Sequence, residues 1–158
     1  SIFNSYESLH SVVEDQRGNA AARGVEITCE TLCDMAKKGQ SLYLHTDEYR
    51  FKQIFGNILS NAIKYSKTRV HLTLERTPTH WVLHVEDDGP GIKDKEAVFN
   101  LFEQDGNLIN KGTEGSTGVG LTFVKYLCKD LGFTYELHTS KKLGGLEFCL
   151  MKEMKETL

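Results

Sequence analysis

The chain is 158 residues long, 39% hydrophobic and 26% charged, the profile of a soluble domain large enough for a real core. A formal net charge of −3 argues against nucleic acid as the main partner, and no apolar run reaches the roughly 20 residues that span a bilayer. The chain opens on Ser1 rather than Met, which points to a piece cut from something longer.

Residues 2–22 read as a helix that stops at Gly24, with Arg23 in its last turn. "VEITCE" and "LYLH" read as short strands around a polar loop holding Lys37, Lys38 and Gly39. Thr46 or Asp47 caps a long helix that ends near Tyr65. "RVHLTLER" and "WVLHVED" alternate as half-buried strands: Val70, Leu72 and Leu74 share one face, and Trp81, Leu83, Val85 and Asp87 another. A glycine-rich turn follows, then a short helical piece at "EAVFNLF". "GVGLTFVKYLCKDLG" is a helix closed by Gly132, and "TYELHTS", "KKLGG" and "LEFCLMK" make a closing hairpin. The sum is an α/β (α+β) two-layer sandwich, a mixed, mostly antiparallel sheet with helices on one face. Cys29, Cys33, Cys128 and Cys149 form no C-x-x-C pair or zinc-finger spacing. Cys128 and Cys149 fall in apolar patterns as free core thiols, which suggests a reducing compartment and no disulfide framework.

The long helix carries an unusual edge. At about 100° per residue, Gln53, Asn57, Asn61 and Lys64 fall within about 80° of one another. Phe51, Ile54, Phe55, Ile58, Leu59, Ala62 and Ile63 fill the neighbouring arc and face a core. A solvated edge is the bland account, but such edges favour Glu, Lys and Arg over Asn. Amide oxygens ligate a hard cation such as Mg²⁺, and a lysine beside them suits phosphate.

"VEDDGPGI" turns Asp87 toward the apolar layer just before Gly89 and Gly91. A carboxylate there needs a donor, and an exocyclic amine such as that of adenine is one. An ordinary turn after a strand would use the same residues. In "GTEGSTGVGL", Gly115, Gly118 and Gly120 lead into a helix whose free N–H groups and dipole favour phosphate, although a flexible loop reads the same way.

Order and spacing together carry a resemblance. "QIFGNILSNAIKYS" resembles the N box, "DDGPGI" the first G box, "VFNLFEQ" the F box and "GSTGVGL" the second G box of the catalytic, ATP-binding domain of sensor histidine kinases. That domain belongs to an ATPase superfamily shared with type II topoisomerases. The resemblance is close from about Leu42 to Leu150 and looser before that.

It implies the histidine-kinase ATPase fold over residues 1–158 as a single domain that binds ATP and Mg²⁺. Residues 1–24 would be its first helix or a link from a dimerisation hairpin, and 103–117 an ATP lid anchored by Phe99 and Phe102. Asn57 would ligate the metal, and Asn61 would contact its water shell or the phosphates. Gln53 stands where many members have a basic glutamate, so an orienting role is implied and the general base stays open. Lys64 and Lys111 would reach phosphate. Asp87 would accept from the adenine amine, with Tyr65, Gly89, Gly91 and Ile92 shaping the base pocket. The backbone around Gly115, Thr117, Gly118, Val119, Gly120 and Leu121 would approach the triphosphate.

The activity implied is transfer of the γ-phosphoryl group to a histidine on a dimerisation domain of the same parent, with a response regulator receiver domain as further partner. The resemblance also implies a cytoplasmic domain without its own membrane segment, in a parent open to anchorage in the bacterial inner membrane. None of the six histidines stands in an H-box context, His10 in "LHSVVEDQR" included. An anti-sigma-factor serine kinase is the nearest alternative, but those usually carry Glu at the Gln53 position. A nucleotide-binding regulatory module without transfer is the third.

Overall fold

Two strands with strict alternation set the sheet. The computed structural model of the chain describes residues 1–91 and 117–154, without the side chains of residues 30 and 117–120. Strands β4 (Arg69–Arg76) and β5 (His80–Asp87) pair antiparallel, with Leu72 opposite Val85 and Leu74 opposite Leu83. The closing hairpin is β6 (Phe133–Thr139) and β7 (Leu146–Glu153). Here β7 inserts between β5 and β6, and β2 (Glu26–Thr28) joins β4 in parallel, giving the order β2-β4-β5-β7-β6. The sheet is therefore mixed and mostly antiparallel, as expected.

Helices α1 (Ser5–Ala22), α3 (Glu48–Tyr65) and α4 (Thr117–Leu131) contribute their apolar residues to the same core as the inward side chains of the sheet. All seven residues of the expected α3 arc, Phe51 to Ile63, are buried. Phe51 makes the joint between layers, its ring 5.6 Å from Trp81 and 5.9 Å from Phe133. Asp47 caps α3 by accepting from Arg50 N at 3.1 Å, and Gly132 ends α4 with φ at +79°.

Two elements differ from expectation. The chain begins not with helix but with a strand, β1 (Ile2–Asn4), paired antiparallel with β3 (Tyr43–His45). Asn4 then caps α1, its Oδ1 accepting from Tyr6 N at 3.2 Å and from Leu42 N at 3.1 Å. Buried Ser5 locks this corner to the sheet, since its hydroxyl accepts from Trp81 Nε1 at 3.0 Å and donates to Leu42 O at 2.6 Å. The supposed polar loop is largely a helix, α2 (Glu30–Lys37), which buries Leu32 and Cys33. The cysteine reading is also corrected. Cys128 and Cys149 are free and buried, but Cys29 and Cys33 are joined by a disulfide with Cα atoms 5.7 Å apart. A spacing of four around the first turn of α2 brings both sulfurs to one side, and the case for a reducing compartment falls with it.

Asp88 ties the end of β5 to the start of β4. Its Oδ1 accepts from the backbone N–H of Lys67 at 2.8 Å, Thr68 at 3.0 Å and Arg69 at 3.2 Å, and the Thr68 hydroxyl donates to Oδ2. Desolvation works against ionisation here, but the Thr68 hydroxyl and the backbone donors outweigh it and hold the carboxyl well below its ordinary 3.8. A depressed carboxyl contributes stability above its unfolded pKa and loses it as pH falls through the folded one. Asp88→Asn is therefore expected to lower stability by about 1–2 kcal/mol at neutral pH, the worth of hydrogen bonds to a charge discounted for solvent. The deficit should shrink as pH falls below about 4, where the unfolded chain's carboxylate takes up a proton that the folded one still refuses. Urea midpoints of both proteins across that range measure it; a pH-independent difference would remove the charge from the account.

Candidate functional site

The inward phase of β5 carries Asp87 to the edge of the core, where it is 4% exposed. Its two oxygens are treated differently. Oδ1 accepts from Gly89 N at 2.9 Å and from Leu146 N at 3.1 Å. Oδ2 has no hydrogen bond among the described residues. Burial pushes the Asp87 carboxyl up, the two N–H groups pull it down, and the charge of Asp88 pushes it up again, with a net rise.

Three stretches of backbone meet here, which is why glycine is required. A Cβ at Gly89 would overlap the Tyr65 carbonyl oxygen at the end of α3. A Cβ at Gly145 would overlap both the carbonyl oxygen and Oδ1 of Asp87, while Gly145 N donates to that carbonyl at 3.0 Å. Gly91 has φ at +77° and lies against the Gly144 carbonyl. Gly89 and Gly91 are thus explained first by protein packing against protein, where the sequence suggested a flat ligand.

Beside Asp87 opens an apolar cavity of about 160 Å³. Ile58, Ala62, Val85, Leu121, Leu146 and Phe148 wall it, and Asn61, Tyr65, Asp87, Pro90 and Gly91 complete the lining. Asn61 Nδ2 is buried there with no hydrogen-bond partner among the described residues. An unpartnered buried amide costs about 1–3 kcal/mol, so this atom awaits an acceptor.

Of the residues singled out in the sequence, Asn61, Tyr65, Asp87, Gly91 and Leu121 are brought together on the cavity wall. Gln53, Asn57 and Lys64 share the α3 edge but do not line the cavity. Asn57 Nδ2 donates to Gln53 O at 2.7 Å, one turn back along the helix, and no hydrogen bond engages its Oδ1 among the described residues. Lys64 Nζ lies 5.8 Å from the centre of the half-exposed Tyr65 ring. Thr117, Gly118, Val119 and Gly120 form the first turn of α4. Ile92, Phe99, Phe102, Lys111 and Gly115, with residues 103–116 of the expected lid, lie outside the described residues. Sequence reasoning missed Gly145 and Leu146, which hold Asp87 from the far hairpin, and the cavity walls Ile58, Val85 and Phe148. "KKLGG" read as a turn and Leu146 as the start of a strand, and their role at Asp87 depends on a strand pairing that no local signal encodes.

The model of the histidine kinase-, DNA gyrase B- and HSP90-like ATPase family matches residues 46–156. Sensor histidine kinase YvrG of Bacillus subtilis is 29% identical over 146 residues, 90% of this chain and 24% of that protein. Sensor histidine kinase GtrS of Pseudomonas aeruginosa is 35% identical over 99 residues, 63% of this chain and 20% of that one. The chain thus spans a quarter or less of the length of these curated relatives. Among solved structures, the catalytic domain of histidine kinase ThkA superposes with a TM-score of 0.75 at 19% identity, covering 97% of this chain and 96% of that one. Full-length ShkA in complex with AMPPNP gives 0.72 at 22% identity, covering 100% of this chain and 32% of that one. The matched span of the family model takes in α3, β4, β5, α4 and the closing hairpin, more than half of the sequence, and the chain belongs to the histidine kinase-, DNA gyrase B- and HSP90-like ATPase family.

Proposed function

We propose that the chain is the catalytic, ATP-binding domain of a sensor histidine kinase, transferring the γ-phosphoryl group of ATP to a histidine on a separate dimerisation domain of the same parent. The observation that carries this reading is the asymmetry of Asp87. One oxygen is fixed by backbone, and the other has no hydrogen bond among the described residues, beside a cavity with mostly apolar walls. A carboxylate only accepts, so the cavity suits a planar heterocycle with an amine on its edge. That the structural neighbour ShkA is described in complex with AMPPNP supports a nucleotide as the ligand.

The α3 edge fits a metal-bound triphosphate. Amide oxygens are the donor type that Mg²⁺ takes, and Asn57 has its Nδ2 tied to its own helix with Oδ1 left over. In this reading Asn57 holds the metal, Asn61 meets its water shell or a phosphate oxygen, and Lys64 and Lys111 contact phosphate. When bound, Mg²⁺ supplies neutralisation of charge on the phosphates. Gln53 orients rather than deprotonates, because an amide is no base. Thr117, Gly118, Val119 and Gly120, at the start of α4, offer backbone N–H groups to the phosphates; Gly115 and the ATP lid expected over 103–117 lie outside the described residues but for Thr117. The protein's own contribution to such a transfer is positioning and charge neutralisation. The proposed partners are the histidine-bearing dimerisation domain and a response regulator receiver domain, in keeping with relatives that are longer sensor kinases.

Asp87→Asn retains the shape but puts a mixed group where an acceptor stood. ATP affinity should fall by about 1.5–3 kcal/mol, the range for a hydrogen bond to a charged group. Calorimetry on the folded variant measures this, and unchanged affinity would remove Asp87 from the base pocket. Gly145→Ala pushes a methyl into Asp87 backbone, so it should cost about 1–3 kcal/mol of stability as overpacking and reduce ATP binding with it. Thermal melts with and without nucleotide report both effects. With γ-labelled ATP the chain alone should bind nucleotide and take up no stoichiometric, acid-labile phosphate, because none of its histidines has an H-box context. Adding a separately expressed phosphoacceptor hairpin should allow slow transfer, abolished by Asn57→Ala; label on the chain itself would redirect attention to His10.

A further inference from the structure

The sheet has a second face, turned away from the helices. Alternation along β5 sends His84 outward, and the β5–β7 register sets it directly opposite Cys149. Three different donor atoms converge there. His84 Nδ1 is 2.6 Å from Glu147 Oε2 and 3.6 Å from Cys149 Sγ, and all three donor atoms lie within 4.8 Å of one another. From the other side Glu75 of β4 brings Oε1 to 2.9 Å from His84 Nε2. The group is set into the surface: Cys149 is 6% exposed, and the His84 and Glu147 side chains are 22% and 20% exposed.

A histidine between two carboxylates is an ordinary ion pair, but an ion pair gives no reason for a thiol at the same ring nitrogen. Nitrogen, sulfur and carboxylate oxygen together are the donor set of Zn²⁺. Its usual bond lengths place tetrahedral N and S donors about 3.6 Å apart and N and O donors about 3.4 Å apart. The His84–Cys149 separation already matches at 3.6 Å, and a rotation of the Glu147 side chain opens the remaining distance. Glu75 accepts from Nε2–H, so when Nδ1 gives up the proton it shares with Glu147 the freed lone pair faces the other donors, the arrangement that orients zinc-binding histidines.

We propose that His84, Glu147 and Cys149 form a binding site for a thiophilic divalent cation of the Zn²⁺ class on the outer face of the sheet, with Glu75 positioning the imidazole. Three protein ligands leave the fourth place to water. Binding releases the Cys149 thiol proton and any proton that His84 shares with Glu147. The ion ties β5 to β7 beside Leu146, whose N–H holds Asp87, so it stiffens one wall of the cavity from behind.

The test is calorimetric titration of the tag-free, folded chain with Zn²⁺ in saturating Mg²⁺, which keeps hard-cation sites filled. A parallel titration with Co²⁺ reads the thiolate-to-metal charge-transfer band. One equivalent should bind, with the band lost and the affinity sharply reduced in Cys149→Ser, a near-isosteric change that spares β7. Glu75→Ala, which leaves every ligand in place, should weaken Zn²⁺ about 10- to 100-fold. A Cys29→Ser, Cys33→Ser double variant should bind as the parent does. The proposal is overturned by absent binding, by equal binding in Cys149→Ser, by unchanged affinity in Glu75→Ala, or by loss of binding in the double variant.

Discussion

The pocket depends on how one buried carboxylate is partnered. Two N–H groups meet the same oxygen of Asp87, one from the next turn and one from the start of β7. The second oxygen has no hydrogen bond among the described residues. For this to happen the β5–β7 register must be correct, the turn must pass against the end of α3, and the hairpin must approach closely enough that Gly145 tolerates no side chain. Each condition belongs to a different element, so the site summarises the tertiary fold at one atom. Asp88 adds a second tether, binding the same turn to the beginning of β4.

Helix α3 serves two neighbours at once. Its apolar arc holds the layers together through Phe51, while its amide edge stands beside the cavity. The amides there are handled unequally. Asn57 spends its Nδ2 on a carbonyl of its own helix, a local bond that orients the side chain. Asn61 Nδ2 is buried without a partner among the described residues. A helix chosen for stability alone would carry neither, since Asn is a mediocre helix former and a buried open donor is costly.

The legible part of the fold was the part with strong periodicity. The arc of α3 and the alternation of β4 and β5 follow directly from residue spacing, and the inward phase of Asp87 comes with them. Strand β1 was hidden because three residues have no period of their own, and their pairing with β3 is a tertiary fact. Helix α2 was hidden because eight residues, half of them polar, bury little more than Leu32 and Cys33. At the site, Asp87, Asn61, Tyr65 and Gly91 were legible from motif and phase. Gly145 and Leu146 were not, because their part is set by a strand that crosses the sheet to reach them.

The crossing has a consequence for synthesis. Leu146 lies 59 residues after Asp87, on a strand that inserts between β5 and β6. A chain emerging from the ribosome N-terminus first exposes α3, Asp87 and Gly89 long before the hairpin that completes them. Until β7 docks, the carboxylate has half its clamp and the cavity lacks Leu146 and Phe148. Acquiring the pocket and finishing the sheet are therefore one event, and a ligand that binds the finished pocket draws the last strand into place by mass action.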